Sequence, residues 1–425
     1  MKDPNENRPG YKKTKVGWIP EEWESLRIES FSTLRSGGTP SRQHPEYWDG
    51  AIPWATTAEI KYGLITCTTE SITEDGLKKS SAALFPKGTL VMAMYGQGAT
   101  RGRVGILGKP MAFNQACLAI LPKKRALPPF MYQRLTFDYH RVRSFSQGGN
   151  QANLSGELVG GIRVPLPELY EQQKIAEILS TWDEAIERTR KLIEAKKRRK
   201  KGLMQQLLTG KKRLPGFANT MDAMSHRFFD LPADWEYVHM RDIANQRSER
   251  NGSDSNSTVL TCSKHGGFVQ STEYFGKRVF SEDTSNYKVV RKGWFGFPAN
   301  HVEEGSIGLL LDHEVGIVSP IYVVFSVSER IVPEYLYAVF KTDTFRHIFS
   351  ISTNASVDRR GSLRWREFRL IRVPVPSVEE QKAIVDVLVA ADEDVDLQER
   401  ELSALEKQKR GLMQMLLTGT VRVKV

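Results

Sequence analysis

The chain has 425 residues, with 61 lysines and arginines against 50 aspartates and glutamates and a formal net charge of +11. This length suits two or more domains rather than one small core, a hydrophobic content of 40% argues against a disordered chain, and the basic excess is compatible with a polyanionic partner without demonstrating one. Three cysteines, Cys67, Cys117 and Cys262, are too scattered for a disulfide framework or a zinc knuckle, and with no signal peptide and no 18-residue apolar run the expected location is the cytoplasm.

Residues 1–16 read as a polar arm, flexible or draped. A first block, 17–161, opens on Gly17-Trp18-Ile19-Pro20-Glu21-Glu22-Trp23-Glu24. Its β-prone pieces are Ile52-Pro53-Trp54, Gly63-Leu64-Ile65-Thr66-Cys67 and Thr89-Leu90-Val91-Met92-Ala93, divided by turn-rich stretches at 36–41 and 96–103. Residues 129–139 read as helical. Then 162–210 carries a short strand stopped by Pro165 and Pro167, followed by a helix opening at Glu171-Gln172 and ending before Gly210. After a linker, 211–228, a second block runs over 229–370. It opens on Asp230-Leu231-Pro232-Ala233-Asp234-Trp235-Glu236, echoing the first. Its strand candidates are Thr258-Val259-Leu260, Phe295-Gly296-Phe297 and 321–325, and 333–349 reads as helical. The chain closes with 371–419 and a tail, 420–425.

The stretch 162–210 is written twice. At a constant offset of 209 residues, 371–419 repeats it with 21 of 49 positions identical and no gap. This is a duplicated module, since solenoid units run only about 20–50 residues. In both copies apolar residues recur at steps of four and three: Ile175, Leu179, Trp182, Ile186, Ile193, Leu203 and Leu207, then Ile384, Leu388, Ala391, Val395, Leu402, Leu405, Leu412 and Leu416. That is a coiled-coil seam, on helices of about 40 residues and roughly 60 Å. Charge sets their sense. Nine of the residues 188–201 are basic, whereas Asp386, Asp392, Glu393, Asp394 and Asp396 make the first half of the second helix acidic. Antiparallel pairing brings these together, and parallel pairing sets like charges side by side. The run Lys196-Lys197-Arg198-Arg199-Lys200-Lys201 also reads as a solvated helix face or a surface for phosphates. The fold expected is α+β: two mixed, β-rich domains separated by a long antiparallel two-helix coiled coil, in a pseudo-twofold duplicated chain. The frame matches between the copies while the block interiors match poorly, which implies one task done twice on different targets.

A search for chemistry finds little. No phosphate-binding loop is present, because Gly108-Lys109 runs into Pro110. In Leu127-Pro128-Pro129-Phe130 a leucine stands where an amino-methyltransferase needs an acceptor for the amine. The eight histidines show no zinc spacing, and His265 near Cys262 reads as a loop residue rather than half of a nucleophilic pair.

This order of parts resembles the DNA-specificity subunit of type I restriction-modification enzymes. The residues that carry the resemblance are Gly17-x-Ile19-Pro20-x-x-Trp23, Gly37-Gly38-Thr39-Pro40-Ser41, Tyr47-Trp48 with Ile52-Pro53-Trp54, and Asn114-Gln115-Ala116. To these add Ile162 to Pro167 with Glu171-Gln172, Leu203-Met204 to Gly210, and their second copies. The second block lacks Gly-Gly-Thr-Pro and Ile-Pro-Trp, which favours an asymmetric target. The resemblance implies a subunit with no catalysis and no cofactor of its own. It would bind double-stranded DNA and recruit two methyltransferase subunits, which use S-adenosylmethionine to methylate adenine at N6. Two motor-nuclease subunits, using ATP and Mg²⁺, would join them. A stand-alone DNA-binding scaffold with other partners is the competing reading.

Base readout needs bidentate donors and amides, and phosphate contact needs cations. The residues of this kind in turn-rich segments are Thr39, Ser41, Arg42, Gln97, Arg101, Arg103, Gln147, Asn150 and Gln151 in the first block. In the second they are Lys264, His265, Arg278, Asn354, Arg359, Arg360 and Arg364. Trp23, Trp48, Trp54 and Trp235 are expected to pack cores rather than to stack on bases.

Overall fold

The repeated segments fold into two long helices, Leu169–Leu207 and Val378–Leu417. Every residue of the apolar seam on them is buried or half-buried, whereas Leu192 and Leu397, off the seam, are exposed. Gly210 and Gly419 follow the helix ends with φ of +67° and +73°, the left-handed conformation that glycine adopts without penalty. A side chain there would also meet a wall: a Cβ on Gly210 falls 2.5 Å from the Pro232 ring, and one on Gly419 falls 2.5 Å from Pro20.

The structure is a computed structural model. It describes residues 4–96, 98–145, 153–217, 222–252, 257–264, 266–300, 302, 305–353 and 362–423. The chain divides into two units, Met1–Lys191 with Arg400–Val425, and Leu192–Glu399. Each unit holds one globular block and part of each long helix.

In the first unit, Arg163–Leu166 pairs antiparallel with Glu24–Arg27, so the strand before the long helix closes on the start of the block. The main sheet has five strands in the order Ser32–Ser36, Cys117–Pro122, Leu90–Ala93, Val104–Leu107 and Leu64–Ile65. A smaller sheet joins Ala112–Phe113, Trp48–Ala55 and Glu70–Ile72. Trp23, Phe31, Leu90, Phe130 and Leu135 fill one core with Ile175 and Leu179 of the long helix. The arm is draped rather than free. Asn5 Nδ2 donates to the Thr418 carbonyl at 3.1 Å, and the Tyr11 hydroxyl to the Gly419 carbonyl at 2.6 Å.

In the second unit, Glu236–His239 pairs with Arg372–Val375, as its counterpart does. The four-stranded sheet runs Ala244–Arg247, Tyr322–Val327, Phe295–Pro298 and Gly308–Leu309. In chain order this is the first, fourth, second and third strand, the same order as the first four strands of the other unit's sheet. The duplicated frame therefore extends into block interiors whose sequences look unrelated. The short helices match as well: Pro128–Phe137 and Tyr139–Ser144 against Pro333–Phe340 and Asp343–Ser352. Among the segments that differ is the one between the first two frame strands. Residues 37–89 carry Trp48–Ala55, Leu64–Ile65 and Glu70–Ile72, whereas 248–294 carry Leu260–Ser263, Gly267–Gln270 and Lys288–Arg291.

Ion pairs join the long helices within each unit. In the first, Lys409 meets Asp183 and Arg190 meets Glu406, both at 2.5 Å. In the second, Lys196 meets Asp394 at 2.5 Å, Lys197 meets Glu399 at 2.8 Å, and Lys200 pairs with Asp392. Among the described residues no helix is long and apolar enough to cross a membrane.

Candidate nucleic-acid interface

The frame residues explain how the variable loops are held. In the first unit the buried Glu171 carboxylate accepts from Trp23 Nε1 at 2.9 Å and from Arg422 Nε and Nη2 at 2.7 and 3.0 Å. In the second, Glu380 accepts from Trp235 Nε1 at 3.1 Å and from Arg213 Nε and Nη2 at 2.6 and 2.8 Å. Burial disfavours the Arg213 cation, yet hydrogen bonds to Asp234 and Glu380 outweigh this and hold its pKa above the ordinary value. The neighbouring glutamines staple the short helices. Gln172 accepts from the Leu127 amide and donates to the Arg125 and Pro167 carbonyls, all at 2.9 Å. Gln381 does the same with Val332, Arg330 and Pro376, at 2.8, 2.9 and 2.9 Å. Sequence reasoning saw Glu-Gln as a helix opening and missed this anchor. The signal was present: Arg213 and Arg422 keep the 209-residue offset, three residues beyond the last repeated glycine.

On this base the first block presents two described loops. The backbone at Gly37-Gly38 lies against other chain, since a Cβ on Gly37 falls 2.0 Å from the Phe113 carbonyl oxygen and one on Gly38 falls 2.3 Å from the Ser81 carbonyl carbon. Trp54, buried, donates to the Gly38 carbonyl at 3.0 Å. The following Thr39, Ser41 and Arg42 are set on a fixed stem. Thr39 bonds Gln115. Arg42 stacks 3.6 Å from the Trp48 ring centroid and forks onto Glu70 at 2.5 and 3.0 Å. The Arg42 guanidinium holds the Glu70 carboxyl below the usual range. The second loop, between Leu90–Ala93 and Val104–Leu107, contains Arg101 and Arg103. It is pinned from below: the Tyr139 hydroxyl donates to the Ala99 carbonyl at 2.7 Å, and Arg143 Nη1 to the Arg101 carbonyl at 3.2 Å. Arg103 lies 5.8 Å from the Tyr62 ring centroid. Trp23 and Trp235 are buried like Trp54, while Trp48 is half-buried edge-on to Trp54.

In the second block Lys264 follows Leu260–Ser263 and lines a cavity of about 500 Å³ with Lys200, Tyr337, Lys341, Arg346 and Asp392. Lys341 Nζ donates to the Gly305 carbonyl at 2.9 Å, and burial pushes its pKa down to about 8. Arg278 is exposed and lies 4.9 Å from the Phe280 ring centroid. Arg364 is exposed at the start of Trp365–Phe368, its carbonyl accepting from the Phe368 amide. Gln97, Gln147, Asn150, Gln151, His265, Asn354, Arg359 and Arg360 lie outside the described residues.

The sites fall into three chain positions per block: after the first frame strand, between the second and third, and after the paired short helices. Only the first and last carry candidates in both blocks. These groups are donors and cations on exposed or half-buried backbone, suited to base edges and phosphates. Among the described residues no three His, Cys, Asp or Glu side chains are grouped to hold a metal ion.

The family described as "Type I restriction modification DNA specificity domain" matches residues 20–197 and again 232–407. The specificity subunit of the type I restriction enzyme MjaVIII of Methanocaldococcus jannaschii is 24% identical over 96% of this chain and 94% of that protein. The MjaIX specificity subunit of the same organism is 32% identical over 43% of this chain and 42% of that protein. The crystal structure of the type I restriction-modification system S subunit from M. genitalium covers 96% of this chain and 98% of its own, with a TM-score of 0.55 at 16% identity. That likeness is one of fold.

Proposed function

Because the chain belongs to the type I restriction modification DNA specificity family, we propose that it is the DNA-reading subunit of a type I restriction-modification complex, each block reading one half of an asymmetric, interrupted target. One observation supports this most: the same Glu-Gln-Trp-Arg anchor and the same strand order occur twice, beneath segments 37–89 and 248–294 that differ in strands and side chains. A duplicated frame with unlike loops suits two different half-sites. The long helices are read as an antiparallel coiled coil joined by the ion pairs described above. Thr39, Ser41, Arg42, Arg101 and Arg103, with Lys264, Arg278 and Arg364, are the described residues assigned to DNA. Gln97, Gln147, Asn150, Gln151, His265, Asn354, Arg359 and Arg360 complete the assignment by sequence.

The subunit performs positioning and no bond chemistry. Phosphate contacts fix its register, and base-edge contacts select the sequence. Two methyltransferase subunits then act on an adenine drawn out of the stack into their own pockets, and two motor-nuclease subunits complete the assembly. The test is transfer of labelled methyl groups from S-adenosylmethionine to duplex DNA. The purified chain alone should transfer none, and the chain with its modification subunit should methylate adenine within one bipartite sequence. Label incorporated by the chain alone would overturn the reading.

A further inference from the structure

The ion pairs between the long helices fall into two kinds when the 209-residue offset is applied to them. Asp183–Lys409 and Lys200–Asp392 are images of each other, because 183 corresponds to 392 and 200 to 409. Both helices carry the acid at the first of these frame positions and the base at the second. Arg190–Glu406 and Lys197–Glu399 also occupy image positions, since 190 corresponds to 399 and 197 to 406. Here the signs are not repeated. The first helix is basic at both positions, and the second is acidic at both. Lys196–Asp394 adds to the bias, because its image positions hold Leu405 and Ala185.

The two kinds behave differently if a helix meets its own kind from a second copy of the chain. Antiparallel pairing of two first helices would keep the Asp183–Lys200 contacts but set Arg190 against Lys197, twice. Two second helices would set Glu399 against Glu406, twice. The apolar seam discriminates less, since apart from Trp182 against Ala391 and Lys196 against Leu405 its positions carry aliphatic residues in both helices. We propose that positions 190, 197, 399 and 406 form a partner-selecting charge code. It makes each long helix fit the other type and reject its own, so that a long helix does not pair with the same helix of a second copy. Its consequence is that each helix pair joins one of each block rather than two copies of the same block. The inference rests on the observed ion pairs and not on what the blocks bind.

The full-length chain tests this through variants that alter the code and preserve both intrachain pairs. In the double variant Lys197→Glu with Glu399→Lys, opposite charges still face each other at both contacts. Each helix, however, now carries one base and one acid there and becomes complementary to itself. Arg190→Glu with Glu406→Arg reaches the same pattern through the other contact, so a folding defect peculiar to one variant does not leave the question open. Exchanging all four charges restores mutual rejection and serves as the control. Each protein is unfolded in urea, refolded at equal concentration in low salt and weighed by light scattering on a sizing column. Both double variants should melt near the wild type yet give a roughly ten-fold higher ratio of exchanged dimer to monomer, the scale of several exposed like-charge contacts removed together. The excess should vanish in 1 M salt, where screening acts within about 3 Å. The four-charge exchange should refold as the wild type does. Equal dimer ratios in the wild type and the folded double variants would overturn the proposal, as would an excess that salt leaves intact.

Discussion

At the scale of single residues, the strongest commitments are the two buried carboxylates, not the exposed cations. Glu380 is 2% exposed and answers both Trp235 and Arg213. Removing Glu380 strips the buried Trp235 Nε1 of its acceptor and leaves Arg213 only Asp234, at about 1–3 kcal/mol. Glu380→Ala should therefore lower the unfolding free energy measured by urea titration by that amount. Glu29→Ala, which removes an exposed partner of Arg27, should change stability by less than about 1 kcal/mol. Lys341 makes a separate prediction with a definite sign. Its folded pKa of about 8 lies below the ordinary lysine value of about 10.4. Between these values the unfolded chain holds the proton more than the folded chain does, so stability rises with pH across that window. Below it both states are charged and the penalty of burying the cation is fully present. Lys341→Met removes the titration, and its melting temperature relative to the wild type should fall steadily from about pH 8 to about pH 10.4. A difference that stays flat across that range would exclude an ionised, desolvated Lys341.

At the scale of elements, the first of the loops proposed to meet DNA is set by close backbone approach. Gly38→Ala forces a Cβ to within 2.3 Å of the Ser81 carbonyl carbon, and backbone cannot yield as a side-chain tip does. The expected outcome is a displaced Thr39–Arg42 turn, a loss of about 1–3 kcal/mol of stability and weakened DNA binding in a mobility-shift titration. Gly161→Ala, with open space around it, should leave both unchanged. The contrast between helices and loops also explains what the sequence reveals. The long helices were legible because a seam such as Ile175, Leu179, Trp182 and Ile186 repeats locally, and the second copy repeats it again. The shared sheet was not legible. Leu118 pairs with Ser36 and Phe295 with Phe325, contacts that join short strands far apart in the chain and leave no period to read. The anchor of Glu171, Trp23 and Arg422 was hidden for the same reason, as its members come from three distant segments. The residues proposed for DNA rest on residue type alone, because turn-rich segments carry no periodicity.

At the scale of the whole molecule, the chain is one frame used twice, with the proposed specificity confined to what each block adds to it. The family match over both halves and the repeated strand order support this division. It follows that the two half-sites are independent, and that binding strength falls with salt as phosphate-neutralising cations give up their advantage over released counterions. The most direct measurement is an exchange of residues 17–161 for the corresponding block of another family member, followed by mapping of the adenines methylated in a host genome by the complete complex. The prediction is that one half of the interrupted target takes on the donor's sequence while the other half keeps its bases. A target in which both halves change together, or in which neither does, would contradict the account.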